Sequence, residues 1–238
     1  MSSQGIHSIY VTKFSAWAPG MQGGTYDDWQ LWADGKKEIE RTAESPALEW
    51  TSSLFRRRLS QLSKMTVQVL HDIMPIGEHT RVVFSSFRGE ITQQFKINRL
   101  LALEGGITPA AFSNSVFNTP VALAAISEKI TAGYTAVYPC GGGTDGKAFT
   151  SAFLAALSSI IAGEPETVAL CYADELIPAE YSGLCGSFPQ EPMAFAALLS
   201  KNSGGSKNGA GIPITLPPPE ISPQDFLKIC IGSLNVIT

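Results

Sequence analysis

Charge is scarce in this sequence: Asp, Glu, Lys and Arg make up 16% of its 238 residues, against roughly a quarter in ordinary soluble domains. The folded surface must therefore be poor in charge. Clustered cations are missing too. The net charge is −4 and the basic run Arg56-Arg57-Arg58 stands by itself, which excludes nucleic acid as a partner, because phosphate backbones require a basic patch. Cysteines 140, 171, 185 and 230 are widely spaced with no CxxC pair. That excludes a structural zinc site or a redox couple and implies no metal.

Long hydrophobic runs are absent as well. The most apolar helical stretch, Ala148 to Ala162, is interrupted by Thr150, Ser151, Ser158 and Ser159 and is shorter than the roughly 20 residues that span a bilayer. No membrane insertion is expected, and the N-terminus lacks the charged start and apolar stretch of a signal peptide, so a cytoplasmic location is expected. No GxSxG elbow supports a serine hydrolase. The run Gly141-Gly142-Gly143-Thr144 before Gly146-Lys147 only superficially suggests a phosphate loop, since Ala148 stands where the hydroxyl residue belongs. No cofactor is implied.

What is present is apolar. Hydrophobic residues reach 44%, which fits either a large core or an apolar patch covered by another subunit. The length is expected to form one compact domain over residues 1–238. Strand signals fall at 6–14, 81–86, 132–138 and 166–172. Helical periodicity runs through Leu54–Ile73, from Gly89-Glu90 to Leu103, through Ala110–Ile126, from near Lys147, and over 224–234. Strands alternating with helices predict a layered α/β fold. Trp29 and Trp32, at helical spacing, read as core. A flexible Gly/Ser/Pro-rich segment is expected at 201–223, its proline-rich part a candidate extended edge.

Three segments in order carry a resemblance. They are Arg56-Arg57-Arg58-Leu59-Ser60 with the following helix, Val83-Phe84-Ser85-Ser86-Phe87-Arg88-Gly89-Glu90, and Thr108-Pro109-Ala110-Ala111-Phe112-Ser113-Asn114-Ser115-Val116-Phe117-Asn118. With the Trp29–Trp32 segment and Asp174-Glu175-x-x-Pro178, they make the chain similar to the β-ketoacyl-synthase-like N-terminal family of the thiolase-like superfamily. Short members look like those found beside complete synthases in aryl polyene pathways. The resemblance implies a thiolase-like α/β/α fold, truncated to mainly the N-terminal half of a ketosynthase. It also implies a chain-length-factor-like subunit that pairs with a complete ketosynthase and meets the acyl carrier protein only indirectly. Phe117 stands where the family usually has a histidine in SVHN, so no role of that histidine carries over.

Decarboxylating condensation needs a thiolate and donors, generally two histidines, for the charge that develops. Here His7, His71 and His79 all precede Cys140. Cys140 is nonetheless the one serious nucleophile candidate, because it precedes a helix whose N-terminus favours a thiolate. It stays open to three readings: nucleophile, partner-facing or tunnel-lining group, and structural thiol. The alternative function is a stand-alone thiol acyltransferase or hydrolase using Cys140; a carrier-binding scaffold finds no support in the low cation count. The region Phe112 to Ala125 corresponds, by the resemblance, to the part that pairs subunits. Phe112, Ser115, Phe117, Asn118, Thr119, Pro120 and Tyr138 are candidates for the interface or acyl tunnel, with Phe117 either a limit on chain length or an ordinary core residue. The acidic pairs Asp27-Asp28 and Asp174-Glu175 read as solvated turn or cap residues.

Overall fold

The computed structural model describes residues 9–21, 26–76, 79–138, 145–163, 165–184, 191–203, 211–214 and 220–234. At its centre, β4 (Thr167–Asp174) and β5 (Met193–Ser200) are apolar on both faces. Alternate side chains sort to opposite sides of the sheet. Val168, Leu170 and Tyr172 of β4, with Phe195, Ala197 and Leu199 of β5, face one core, while Ala169, Cys171, Ala173, Ala194 and Ala196 face the other.

That sorting by size decides what each face can hold. The small face admits α3 (Gln61–Asp72), which presses Leu62, Met65, Val69 and Leu70 against it. The large face is closed by α7 (Asp145–Ile161) and α8 (Pro223–Leu234) through Phe149, Phe153, Leu157, Phe226 and Leu227. Phe149, Phe153, Phe195 and Phe226 form an aromatic cluster with ring centroids 5.1–6.1 Å apart. Three layers result, α/β/α, as the resemblance implies and as a finer form of the layered α/β fold that the alternation of strands and helices predicts.

The sheet also contains β1 (Ile9–Trp17), β2 (Arg81–Ser85), β3 (Tyr134–Val137) and β6 (Ile212–Ile214), in the order β3-β2-β4-β5-β1-β6. β3, β2 and β4 are parallel and the remaining pairs antiparallel. The two margins differ. Among the described residues β3 ends the sheet with a free edge, whereas β6 is three residues long and carries Pro213, which has no N–H to offer.

Several sequence expectations change here. Leu54–Ile73 is two helices, α2 (Ser53–Arg56) and α3, because the Ser60 hydroxyl accepts from Ser63 N at 2.9 Å and starts the second. Arg56, from the basic run, is tied to the backbone. Its guanidinium donates to the Leu48 and Thr51 carbonyls at 3.1 and 2.6 Å and ties down the preceding loop. Ala110–Ile126 likewise divides, into α5 (Pro109–Ser113) and α6 (Thr119–Ser127). Strand β5 is absent from the sequence reading. The helix α1 (Tyr26–Ala33) buries Trp29 as expected, and α4 (Ile91–Glu104) ends on Gly105 in the left-handed conformation at φ 71°. Of the 201–223 segment, 204–210 and 215–219 lie outside the described residues; Ile212–Ile214 is indeed an extended edge. No described helix is long and apolar enough to cross a membrane.

Candidate functional site

The parallel strands β2, β3 and β4 end side by side, and in open α/β sheets that end is where sites form. Ser85 closes β2, Val137 closes β3, and Asp174 closes β4. The segments leaving β2 and β4 meet here.

Asp174 is the anchor. Its carboxylate accepts from Ser86 Oγ at 2.6 Å, from the backbone N–H groups of Phe87 and Arg88, each at 3.1 Å, and from the Tyr172 hydroxyl. Ser86 Oγ in turn accepts from Gly89 N at 2.7 Å. The turn 86–89 is therefore bound along its length to one buried side chain. Burial pushes the Asp174 carboxyl upward, while the Ser86 and Tyr172 hydroxyls and Arg88 pull it back.

Two further carboxyls lie beside it. Glu90 takes hydrogen bonds on Oε1 from Ser60 at 2.9 Å and Ser63 at 2.7 Å, and Glu175 accepts from Thr92 N at 2.9 Å. Desolvation, with the Glu175 charge second, raises Glu90 to about 8. Desolvation raises Glu175 to about 7. Among the described residues Glu90 Oε2 finds no hydrogen-bond partner. Asp174 and Glu175 are thus buried, not the solvated turn residues that an acidic pair at a strand end suggests. They join the two motif segments 83–90 and 174–178 into one network.

The candidate interface and tunnel residues lie on the neighbouring side. Phe117 packs between buried Phe84, at a centroid distance of 5.9 Å, and Tyr138, at 4.8 Å. Gly89 makes room for it: a Cβ there would stand 2.8 Å from Phe117 Cδ2. Asn118 Nδ2 donates to the Tyr134 hydroxyl at 3.0 Å, and Thr119 Oγ1 donates to the Ser113 carbonyl at 2.7 Å. Ser115 is buried with its hydroxyl on the Phe112 carbonyl at 2.8 Å, and Pro120 is buried in the first turn of α6. Phe112 and Tyr138 are large apolar side chains left 58% and 64% exposed.

Cys140, with Gly141 to Thr144, lies outside the described residues; Tyr138, two positions before it, follows the end of β3. Cys171 and Cys230 are buried thiols, in β4 and α8. His71 is engaged elsewhere. Its ring stacks on Trp50 at 3.8 Å and its Nδ1 meets Glu128 Oε2 at 2.9 Å, joining the ends of α3 and α6. No group of three or more metal-ligating side chains occurs among the described residues.

Solved structures share this fold. A ketosynthase (ApeO) in complex with its chain length factor (ApeC) from Xenorhabdus doucetiae matches at 24% identity with a TM-score of 0.74, over 95% of this chain and 91% of that one. The ishigamide ketosynthase/chain length factor matches at 13% identity and TM-score 0.62, over 84% of this chain and 63% of that one. A type II PKS acyl-carrier protein in complex with its ketosynthase bound to the hexaketide matches at 14% and 0.59, over 82% and 62%. No curated protein sequence matches the chain. Residues 29–212, well over half the chain, match the model of the beta-ketoacyl synthase N-terminal domain, and the protein belongs to that family.

Proposed function

We propose that this chain is a non-catalytic, chain-length-factor-like subunit of a type II β-ketoacyl synthase, acting in the cytoplasm in polyene biosynthesis. It pairs with a complete ketosynthase and closes the acyl tunnel of that partner. The observation that carries the reading is the free edge of β3 among the described residues, with exposed Tyr138 directly after the strand. An unpaired edge beside an apolar side chain is a template for another chain. The opposite margin is blunted by Pro213, so the partner belongs at β3.

Three further observations agree. None of the three histidines follows Cys140 in these 238 residues, and His71 is held in a structural contact. The structure containing ApeO and its chain length factor matches over nearly the whole of both chains, while the other two ketosynthase complexes are matched over less than two thirds of theirs. Phe112 and Tyr138 supply partner contacts in this reading. Phe117 borders the tunnel, and Ser115, Asn118, Thr119 and Pro120 hold the turn that presents it. Residues 1–238 act as one domain.

Co-expression with a complete ketosynthase tests the reading. The two chains are expected to co-purify, and Cys140→Ser is expected to leave the products unchanged. Acylation of Cys140 in the isolated chain, detected by mass spectrometry after incubation with malonyl or acyl carrier protein, would instead establish a stand-alone thiol acyltransferase or hydrolase.

A further inference from the structure

The Phe117 ring has an unusual support. On one side it meets the α-carbon of Gly89 so closely that a methyl group would stand 2.8 Å from Cδ2 and 3.5 Å from Cε2. Gly89 itself sits at φ +59°, in the left-handed region where other residues are strained. Nothing in the glycine holds it there. Its N–H is fixed by Ser86 Oγ at 2.7 Å, and that hydroxyl donates to Asp174 at 2.6 Å. Two more N–H groups of the same turn, from Phe87 and Arg88, end on the same carboxylate.

The end of β4 is thus connected to the Phe117 ring through one turn, by way of the buried side chains of Asp174 and Ser86. On the other side the ring bears on Tyr138, exposed at the end of β3. We infer that Asp174 is a positioning residue for Phe117: by pinning the Ser86–Gly89 turn it sets where the ring stands, and through the ring it sets the acyl length the tunnel accepts. This rests on the reading of Phe117 as a tunnel residue. Asp174 itself is buried, 4% exposed, and acts through the turn.

Two chemical features make the link rigid. A carboxylate buried with four donors has no alternative arrangement that satisfies them, because each donor abandoned in the interior is costly. A positive-φ glycine pressed on an aromatic ring also transmits displacement, since packed atoms have no void to absorb it. Movement of the turn becomes movement of the ring.

The test uses the chain co-expressed and purified with its ketosynthase, with para-fluorophenylalanine at position 117 as a fluorine NMR probe of ring position. Gly89→Ala is expected to shift the fluorine resonance and the product-length distribution together. Asp174→Ala is expected to broaden the resonance and extend the distribution toward longer products. Asp174→Asn is expected to restore both, because its carbonyl oxygen still accepts from Ser86, Phe87 and Arg88 and its amide can donate to the Tyr172 oxygen. Adding Gly89→Ala to Phe117→Ala is expected to change the distribution no further.

A resonance that stays in place in Gly89→Ala overturns the inference. So does a moved resonance with an unchanged distribution, or an Asp174→Asn variant that behaves as Asp174→Ala. Should Asp174→Ala fail to fold, Gly89→Ala and Asp174→Asn decide the matter. If the unaltered chain does not pair with a ketosynthase, the function proposed above fails, and the fluorine resonance measured on the chain alone still decides whether Asp174 positions Phe117.

Discussion

Raising the pH from 5 to 8 should destabilise this protein, and replacing Glu90 by glutamine should remove most of the effect. Glu90 is fully buried, and its carboxyl is raised from 4.5 to about 8, first by desolvation and then by Glu175. Between those two values the folded protein keeps a proton that the unfolded chain has released. The neutral carboxyl's contribution to stability is complete below about 4.5 and disappears as pH rises through about 8. Its slope is about 1.4 kcal/mol of stability lost per pH unit. Glu175, raised to about 7 by desolvation, acts in the same direction over 4.5 to 7. From pH 5 to 7 Glu90 alone accounts for roughly 2.7 kcal/mol, a large part of a typical folding free energy of roughly 5–15 kcal/mol. With a urea m-value of about 3 kcal/mol/M, the Glu90 contribution alone should lower the midpoint by about 1 M over that interval, with Glu175 adding to the fall. Glu90→Gln retains an acceptor for Ser60 and Ser63, carries no charge, and should flatten the slope while raising the midpoint at pH 8 above that of the parent. Urea denaturation of both proteins at four or five pH values from 5 to 8.5 makes the comparison. A parent midpoint that is flat or climbs across this range, or a glutamine variant with the parent's slope, would refute the reasoning.

Leu62→Ala removes a fully buried side chain where α3 meets the small-residue face of the sheet; the expected loss is about 2–5 kcal/mol, read from urea midpoints at fixed pH. Ser60→Ala removes both the cap of α3 and one donor to Glu90. It should cost about 1–2 kcal/mol, more than an exposed cap, by the same measurement. The thiols of Cys171 and Cys230 are pushed upward by burial, Cys230 to about 12. Neither should react with a thiol reagent until urea unfolds the chain, and rapid labelling of either under native conditions, located by peptide mass spectrometry, would contradict their placement in the core.

The layered architecture was legible because its elements have the right length and punctuation. The run Val82-Val83-Phe84 before two serines marks a buried strand, and Gly105 after Leu103-Glu104 marks a helix end. Strand β5 was hidden because Met193-Ala194-Phe195-Ala196-Ala197-Leu198-Leu199 carries no β-branched residue and is as apolar at helical as at strand spacing. The break at Ser60 was hidden because Leu59 and Leu62 continue an apolar pattern across it. Near the site, the family pattern marks the segment that holds Phe117 and Asn118, and the structure sets Phe117 against Tyr138. The anchoring role of Asp174 could not be read in the sequence, since an Asp-Glu pair leaving a strand is usually solvated. Only the pairing of β2 with β4, which brings Ser86 beside Asp174, distinguishes this buried carboxylate from a surface one. A usable signal existed in hindsight: two apolar strands, one ending in Ser-Ser and the other in Asp-Glu, supply complementary donors and acceptors.

The unequal margins of the sheet, as the described strands form it, bear on how an assembly through this sheet would grow. A sheet open at both borders invites indefinite stacking, chain upon chain, toward fibres. With a proline-bearing three-residue strand on one border, growth through the other uses up the template that the described strands offer. If the proposed partner docks there, the union is self-terminating among the described strands, and a further chain added at β6 would meet the proline.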